Sequence, residues 1–180
     1  MPAHDPLVDL LDEGRAGEGV AARIQERSLR RAAEEGATLA GLLIDLAERG
    51  SMAAVHTESG ARHHGTVVAV GADYCVVRTE AGAEPHLRLD AIGSVRPHPS
   101  VRQGSPDGDR QPVVDLLLVE VLGRAVEERP RVVLRLRGGE RVVGVLRSVG
   151  ADMVTLVLDG EHGQTCCVRA AAIAEVLIDQ

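Results

Sequence analysis

Two stretches of this chain are nearly alike: "GTVVAVGADYCVV" at Gly65–Val77 and "GVLRSVGADMVTL" at Gly144–Leu156. Both contain the sequence VGAD, at Val70–Asp73 and at Val149–Asp152, which places the two copies 79 positions apart. In each stretch apolar residues alternate up to the Gly-Ala-Asp turn and resume after it, which predicts a β-hairpin. The chain therefore contains a duplicated hairpin.

The glycines and the aspartates of the repeat have structural interpretations. Gly65 and Gly144 lie inside a predicted strand, where glycine indicates a sharp bend or a close backbone approach. In the VGAD turn we expect Gly71 and Gly150 to adopt a left-handed conformation. We expect the carboxylates of Asp73 and Asp152 to hold the turn through a local backbone hydrogen bond, although a shared ligand contact is the alternative.

The duplication extends well beyond the hairpin. The same offset aligns Leu39 with Leu118 and Val55 with Leu134, and it becomes 81 after a two-residue insertion in the second copy. Helical spacing predicts one helix from residue 18 to Gly36, a second from Thr38 to Arg49, and a third over 113–128. Alternation predicts five strands in each copy, over 52–57, 61–70, 73–80, 85–90 and 92–97 and over 131–137, 140–149, 152–159, 164–169 and 173–178.

Short strands at such even spacing predict a small barrel in each copy. Between the copies, His98–Pro112 is rich in Pro, Gly, Ser and charged residues, which predicts a linker. The predicted organisation is an N-terminal helical segment (1–37), a helix plus a first barrel (38–97), the linker (98–112), and a helix plus a second barrel (113–180). The fold class is therefore mainly β with N-terminal helices.

Composition narrows the class of protein. The 180 residues are 44% hydrophobic, which suffices for a core, but there is no Phe or Trp and only one Tyr. All 20 basic residues are Arg, a bias typical of GC-rich bacterial genomes of the actinobacterial kind. The net charge of −7 argues against general binding of polyanions, since phosphate contacts need clustered positive charge.

The chain is expected to work in the cytoplasm. It has no apolar run of 18 residues, its acidic start lacks the basic region of a secretory signal, and we therefore expect no membrane association. Its three cysteines, Cys75, Cys166 and Cys167, are an odd number, and adjacent cysteines rarely form a disulfide. Both points favour a reducing compartment.

A helix followed by five bent strands, with a glycine inside the second strand and an "AI..V" ending, resembles the Sm-like small β-barrel family. Both copies show the pattern, over about 38–97 and 113–179. The resemblance implies two tandem Sm-like barrels of SH3-like topology, each preceded by a helix. It also implies that strands four and five are edges that pair between subunits, with ring assembly and RNA binding frequent. In the RNA-binding members an Asn follows the Asp of the turn, whereas this chain has Cys75 and Val154 near that position.

An arginine-rich stretch is the main candidate for a charged contact surface. Residues 129–147 contain six arginines and one acidic residue, Glu140, a local charge of +5. In the first strand of the second copy, Arg131, Arg135 and Arg137 alternate with apolar residues and so share an outer face. Such a face suits a phosphate backbone or an acidic partner, unless the acidic helices neutralise it. The candidate contact residues are Arg131, Arg135, Arg137, Arg141 and Arg147.

Histidines in the first copy are weaker candidates for a metal site. His56, His63 and His64 would come together across one hairpin, with His86 further along the chain, and imidazoles bind transition metals. The second copy has no histidine at the positions of the first three, and no nearby Cys or carboxylate completes a set of metal ligands. We expect no metal and no other cofactor, and the histidines are interpreted first as strand residues.

Two functions from different classes remain. No nucleophile elbow, phosphate-binding glycine loop or suitably spaced carboxylate pair occurs, so the chain is predicted not to be an enzyme. The first hypothesis is a non-enzymatic interaction or scaffold module, which binds a protein partner or self-associates through edge strands. The alternative is an RNA- or DNA-associated regulator that uses the arginine face of the second copy.

Overall fold

The computed structural model of the protein describes residues 23–99, 114–160 and 163–179. The predicted linker lies outside these residues except for His98 and Pro99, and so does the beginning of the predicted N-terminal helix. Residues 23–35 form helix α1, and every one of its side chains is exposed to solvent.

The strands and the second helix lie where the sequence pattern predicts them, but the third helix begins at Leu118 and not at residue 113, because residues 114–117 instead contact the first VGAD turn. The first half of the molecule, residues 39–97, contains α2 (Leu39–Glu48), β1 (Met52–Thr57), β2 (Arg62–Val70), β3 (Tyr74–Thr79), β4 (His86–Arg88) and β5 (Ile92–Pro97). The second half, residues 118–179, contains α3 (Leu118–Ala125), β6 (Arg131–Leu136), β7 (Arg141–Val149), β8 (Met153–Leu158), β9 (Thr165–Arg169) and β10 (Ile173–Asp179). The ten strands predicted from alternation are therefore confirmed.

The arrangement of these strands is not the predicted one. All ten form a single open antiparallel sheet in the order β5-β1-β2-β3-β4-β10-β6-β7-β8-β9. The prediction of two tandem Sm-like barrels is therefore wrong, because the strands of neither half close into a barrel and the β4–β10 pairing joins both halves into one open sheet. Each half keeps the same internal strand order, and the sheet continues across the boundary between them.

The register shows that the duplication is structural. Val55 lies opposite His63 in the first half, and Leu134 lies opposite Val142 in the second, at the same offset of 79. The second strand of each half carries a bulge at the equivalent place. Gly65 and Gly144 face the next strand so closely that a Cβ would collide with a carbonyl oxygen of Arg78 or Val157. Close backbone approach therefore accounts for both glycines.

Two apolar clusters form the core, and they do not follow the boundary between the halves. One cluster belongs to the first half and includes Leu43, Val55 and Leu87. The other belongs to the second half, but it also takes in Tyr74 and Val76 from β3. The outer face of β3 is therefore covered by the second half, and the two halves share a continuous interior at this place.

The candidate interaction edges and the junction between the halves

The first free edge of the sheet is β5. The backbone N–H of His98 donates to the carbonyl oxygen of Met52, so the backbone polar groups of residue 98 face β1. Because alternate residues of a strand point to opposite sides, Val95 and Pro97 direct their backbone groups away from β1. Pro97 has no N–H, which limits how far another strand can pair here. Val95 provides a complete donor and acceptor at this edge.

The second free edge is β9, at the other end of the sheet. The N–H of Ala170 donates to the carbonyl oxygen of Asp152, at 2.7 Å, and this contact fixes which residues face β8. The backbone N–H and C=O groups of Thr165, Cys167 and Arg169 consequently point away from β8. Their backbone groups have no partner strand among the residues that the structure describes. Such an edge can accept an additional strand.

At the centre of the sheet the equivalent edges are paired with each other. His86 of β4 lies opposite Val176 of β10, and Leu87 lies opposite Glu175. With the offsets of the repeat, His86 corresponds to Cys167 and Val176 corresponds to Val95. The β4–β10 pairing inside the chain is therefore equivalent to a pairing of β9 with β5, the two strands that form the free edges.

The VGAD turn of the first half, Val70–Asp73, makes the second contact between the halves. The N–H of Ala72 donates to the carbonyl oxygen of Leu116 at 3.0 Å, and Gly71 forms an isolated parallel β-bridge with Val114. The Asp73 carboxylate accepts a hydrogen bond from the N–H of Leu118, the first residue of α3, at 2.7 Å. We call this surface, together with the β4–β10 pairing, the junction.

These contacts correct the expected role of the turn. Neither Gly71 nor Gly150 has a positive φ, so the expected left-handed conformation is wrong. At Gly71 a Cβ would collide with the ring of Tyr74, which explains the glycine sterically. Asp73 does not hold its own turn with its carboxylate. It stabilises a helix of the other half and lies 3.3 Å from the Arg88 guanidinium.

One feature of the sequence could have indicated this contact. Thr38 caps α2 by accepting a hydrogen bond from Gly41 N–H at 3.0 Å. The equivalent residue before α3 is Leu117, whose side chain cannot accept a hydrogen bond. The first N–H groups of a helix need partners from outside it, so α3 requires another acceptor.

In the second half the same turn is exposed. Gly150, Ala151 and Asp152 are all exposed, whereas Val70 and Gly71 of the first turn are buried. Within the described ranges, the Asp152 carboxylate has neither a hydrogen bond nor an ion pair. The VGAD turn is thus occupied in one copy of the repeat and open in the other.

The predicted arginine face is largely neutralised within the chain. Arg131 bridges two carboxylates, at 2.7 Å from Asp159 and 3.0 Å from Asp179. Hydrogen bonds to both carboxylates raise the pKa of this guanidinium. The acidic partners of Arg131 come from β10 and from the loop after β8, not from the acidic helices.

Arg137 is held at the junction. Its guanidinium lies 3.1 Å from the Glu58 carboxylate and 2.6 Å from that of Asp90, both in the first half. Its Nε also donates to the carbonyl oxygen of Ala171. Burial raises the pKa of Asp90, but hydrogen bonds and charge from Arg88 and Arg137 outweigh it, so the pKa lies below its usual value.

Arg135 belongs to a third ionic cluster, with Glu175 and His63. Glu175 is buried, and its carboxylate lies 3.0 Å from Nε2 of His63 and 3.3 Å from Nε of Arg135. The Arg135 Nε is off the hydrogen-bond direction, so this contact is electrostatic. Since β2 and β10 are three strands apart in the sheet order, the His63 contact shows that the sheet curves strongly.

The remaining candidates are not gathered into one site. Arg141 and Arg147 are exposed and form no ion pair with the described residues. His56 and His64 lie on the hairpin with His63, but partial burial and the nearby charges of Arg62 and Arg96 lower the pKa of His56. Over residues 23–99, 114–160 and 163–179, no three His, Cys, Asp or Glu side chains are placed to hold a metal ion.

None of the described helices is long and apolar enough to cross a membrane. No family model and no curated protein matches this sequence.

Proposed function

We propose that this chain is a non-enzymatic interaction module that binds a protein segment by strand addition at the free edges of its sheet. The observation that carries the proposal is the pair of unpaired edges, β5 and β9, at the two ends of a ten-stranded sheet. Main-chain hydrogen bonds would supply affinity, and the side chains beside each edge would supply specificity.

The charge distribution supports a protein partner over nucleic acid. Arg131, Arg135 and Arg137 each face a carboxylate of the same chain, so a phosphate backbone would have to displace those contacts. Exposed ion pairs are individually weak, but their carboxylates remain nearby and repel a polyanion. Binding of a protein edge needs no such displacement.

Co-purification from the cells that express the tagged full chain tests the proposal. Cys167→Pro removes the outward N–H of β9 and Val95→Pro removes that of β5, while Cys167→Ala and Val95→Ala keep these groups. We expect a defined protein to be retained by the alanine variants and lost with at least one proline variant. Thermal unfolding of each variant, measured in parallel, shows that the fold is kept.

Two outcomes would contradict the proposal. One is a protein partner that both proline variants retain at the wild-type level, which would place binding away from the edges. The other is the recovery of RNA or DNA in place of a protein, with retention that weakens as salt increases. That result would favour the regulator hypothesis and direct attention to Arg141 and Arg147.

A further inference from the structure

We propose that the partner of the β9 edge is a second copy of this chain, docked on the exposed VGAD turn, Val149–Asp152. This inference rests on the proposed function, because it uses the same edge and names what occupies it. The incoming copy would place its residues 35–39 on the turn, as residues 114–118 lie on the first VGAD turn within one chain.

The main-chain contacts of the junction can be repeated between copies although the residue types differ, because they join backbone groups. Shifted by 79 positions, the Gly71–Val114 bridge becomes Gly150 with Glu35 of the second copy. The Ala72 to Leu116 hydrogen bond becomes one from Ala151 to the Ala37 carbonyl oxygen. These contacts use backbone groups, so they depend on the shape of the turn and not on side chains.

The acceptor for the helix is also present. Asp152 takes the position of Asp73, and Leu39 is the first residue of α2, as Leu118 is of α3. The side chain of Thr38 is already used for Gly41, so the N–H of Leu39 has no partner in its own helix. The exposed Asp152 carboxylate is the acceptor that the repeat predicts for it.

The two free edges match in the same register. The central pair His86 and Val176 corresponds to Cys167 of one copy and Val95 of the next, and both of these residues point outward. In one chain β5 and β9 lie at opposite ends of the sheet order and are not paired with each other. In a contact between two copies, β9 of one copy can therefore pair with β5 of the other.

Charge complementarity favours a second copy over an unrelated protein. In the junction Val68 and Val114 line one apolar cavity of about 260 Å³. The equivalent positions hold Arg147 and Glu35, which are oppositely charged, exposed, and without an ion pair to any described residue. An apolar pair within the chain is thus replaced by an oppositely charged pair whose members would face each other in the contact between copies.

Two differences make the contact between copies weaker than the junction. Tyr74 and Val76, which the second half buries, correspond to the exposed Met153 and the polar Thr155. Glu35 is the last residue of α1 and must leave the helix to extend along the turn, although the backbone of Thr38 is already extended. We therefore expect reversible, concentration-dependent, head-to-tail association.

Sedimentation velocity of the purified full chain over a wide concentration range tests the inference. We expect Arg147→Glu to weaken self-association about tenfold or more and the double variant Arg147→Glu, Glu35→Arg to restore it. Asp152→Ala should also weaken it. Arg141→Glu, on the same strand but away from the turn, changes the net charge equally and should leave association unchanged.

A chain that sediments as a monomer at every concentration would overturn the inference. Self-association that is equally strong in Arg147→Glu and Asp152→Ala would also overturn it, because the VGAD turn would then not be the docking site. In either case the proposed function stands if a different protein still co-purifies and is lost with Cys167→Pro. Failure of the inference and failure of the proposed function are therefore distinguishable.

Discussion

The carboxylate of Asp73 accepts a hydrogen bond from the backbone N–H of Leu118, 45 positions away and in the other half of the molecule. The same aspartate occurs in the second copy of the turn, where Asp152 is exposed and its carboxylate has no hydrogen bond or ion pair within the described residues. The first VGAD turn is thus a docking surface within the chain, and the second is exposed. The two aspartates therefore provide a matched pair of variants for measuring what the internal contact contributes.

The first prediction compares the two aspartates. Asp73→Ala removes the acceptor at the start of α3 and leaves Arg88 without one of its carboxylates, so we expect a loss of about 1–2 kcal/mol in the free energy of unfolding. Asp152→Ala, measured in dilute monomeric protein, should change it by less than about 0.5 kcal/mol. Urea unfolding checks both values. Equal effects of the two changes would show that the internal contact does not stabilise the fold.

The second prediction concerns the glycine inside β7. A Cβ at Gly144 collides with the carbonyl oxygen of Val157, so Gly144→Ala must displace a neighbouring strand. We expect a loss of about 1–3 kcal/mol, typical of overpacking. In α3, Gly123 has open space around it, and Gly123→Ala should stabilise by about 0.5–1 kcal/mol. A Gly144→Ala variant as stable as the wild type would contradict the close strand approach.

The third prediction is a pH dependence that involves His86. Burial lowers the pKa of this imidazole below its usual 6.5, although its hydrogen bond to the Glu84 carbonyl oxygen and the Glu84 carboxylate oppose the shift. The unfolded chain therefore binds more protons below pH 6.5, and stability falls as the pH is lowered through that range. Between about pH 7.5 and about pH 5.5, Tm should fall less in His86→Leu than in the wild type. An identical fall in both would remove His86 as a cause.

The fourth prediction concerns thiol reactivity. Cys75 is fully buried, which raises the pKa of its thiol to about 12, whereas Cys167 is exposed on the edge strand. Because the thiolate is the reactive form, a disulfide reagent should modify Cys167 in the native protein and Cys75 only after unfolding. Mass spectrometry of the modified peptides identifies the sites, with Cys167→Ser as the control. Rapid modification of Cys75 in folded protein would contradict its burial.

The local structure could be predicted from the sequence, and the pairing of the halves could not. Alternation and glycine spacing place the ten strands because both depend on neighbouring residues. The β4–β10 pairing depends on residues about 90 positions apart, and the three-residue strand β4 gives no indication of which partner it takes. The resemblance to a small barrel therefore implied that strands four and five of each copy are edges, but it did not predict the continuous sheet.

In the candidate site, too, the local placement of residues could be predicted and their long-range partners could not. Alternation places Arg131, Arg135 and Arg137 on one strand, but the carboxylates that neutralise them come from Asp159, Asp90 and other residues far along the chain. The constant offset of 79 in the first part of each copy could have drawn attention to Leu117, which occupies the position at which Thr38 caps the first helix. The sequence alone shows that the second copy lacks a capping side chain before its helix. It also shows the repeated aspartate, which in the first copy supplies the acceptor for that helix.

Residue-resolved amide hydrogen exchange in the isolated complex tests the central claim most directly. The claim is that the free edges of the sheet bind a protein strand, so the outward amides of Val95 and Cys167 are the relevant probes. We predict that at least one of these two amides exchanges much more slowly in the complex than in the dilute free chain, while exposed helix α1 gives a reference for general effects. Equal exchange at both amides, bound and free, would contradict binding by strand addition.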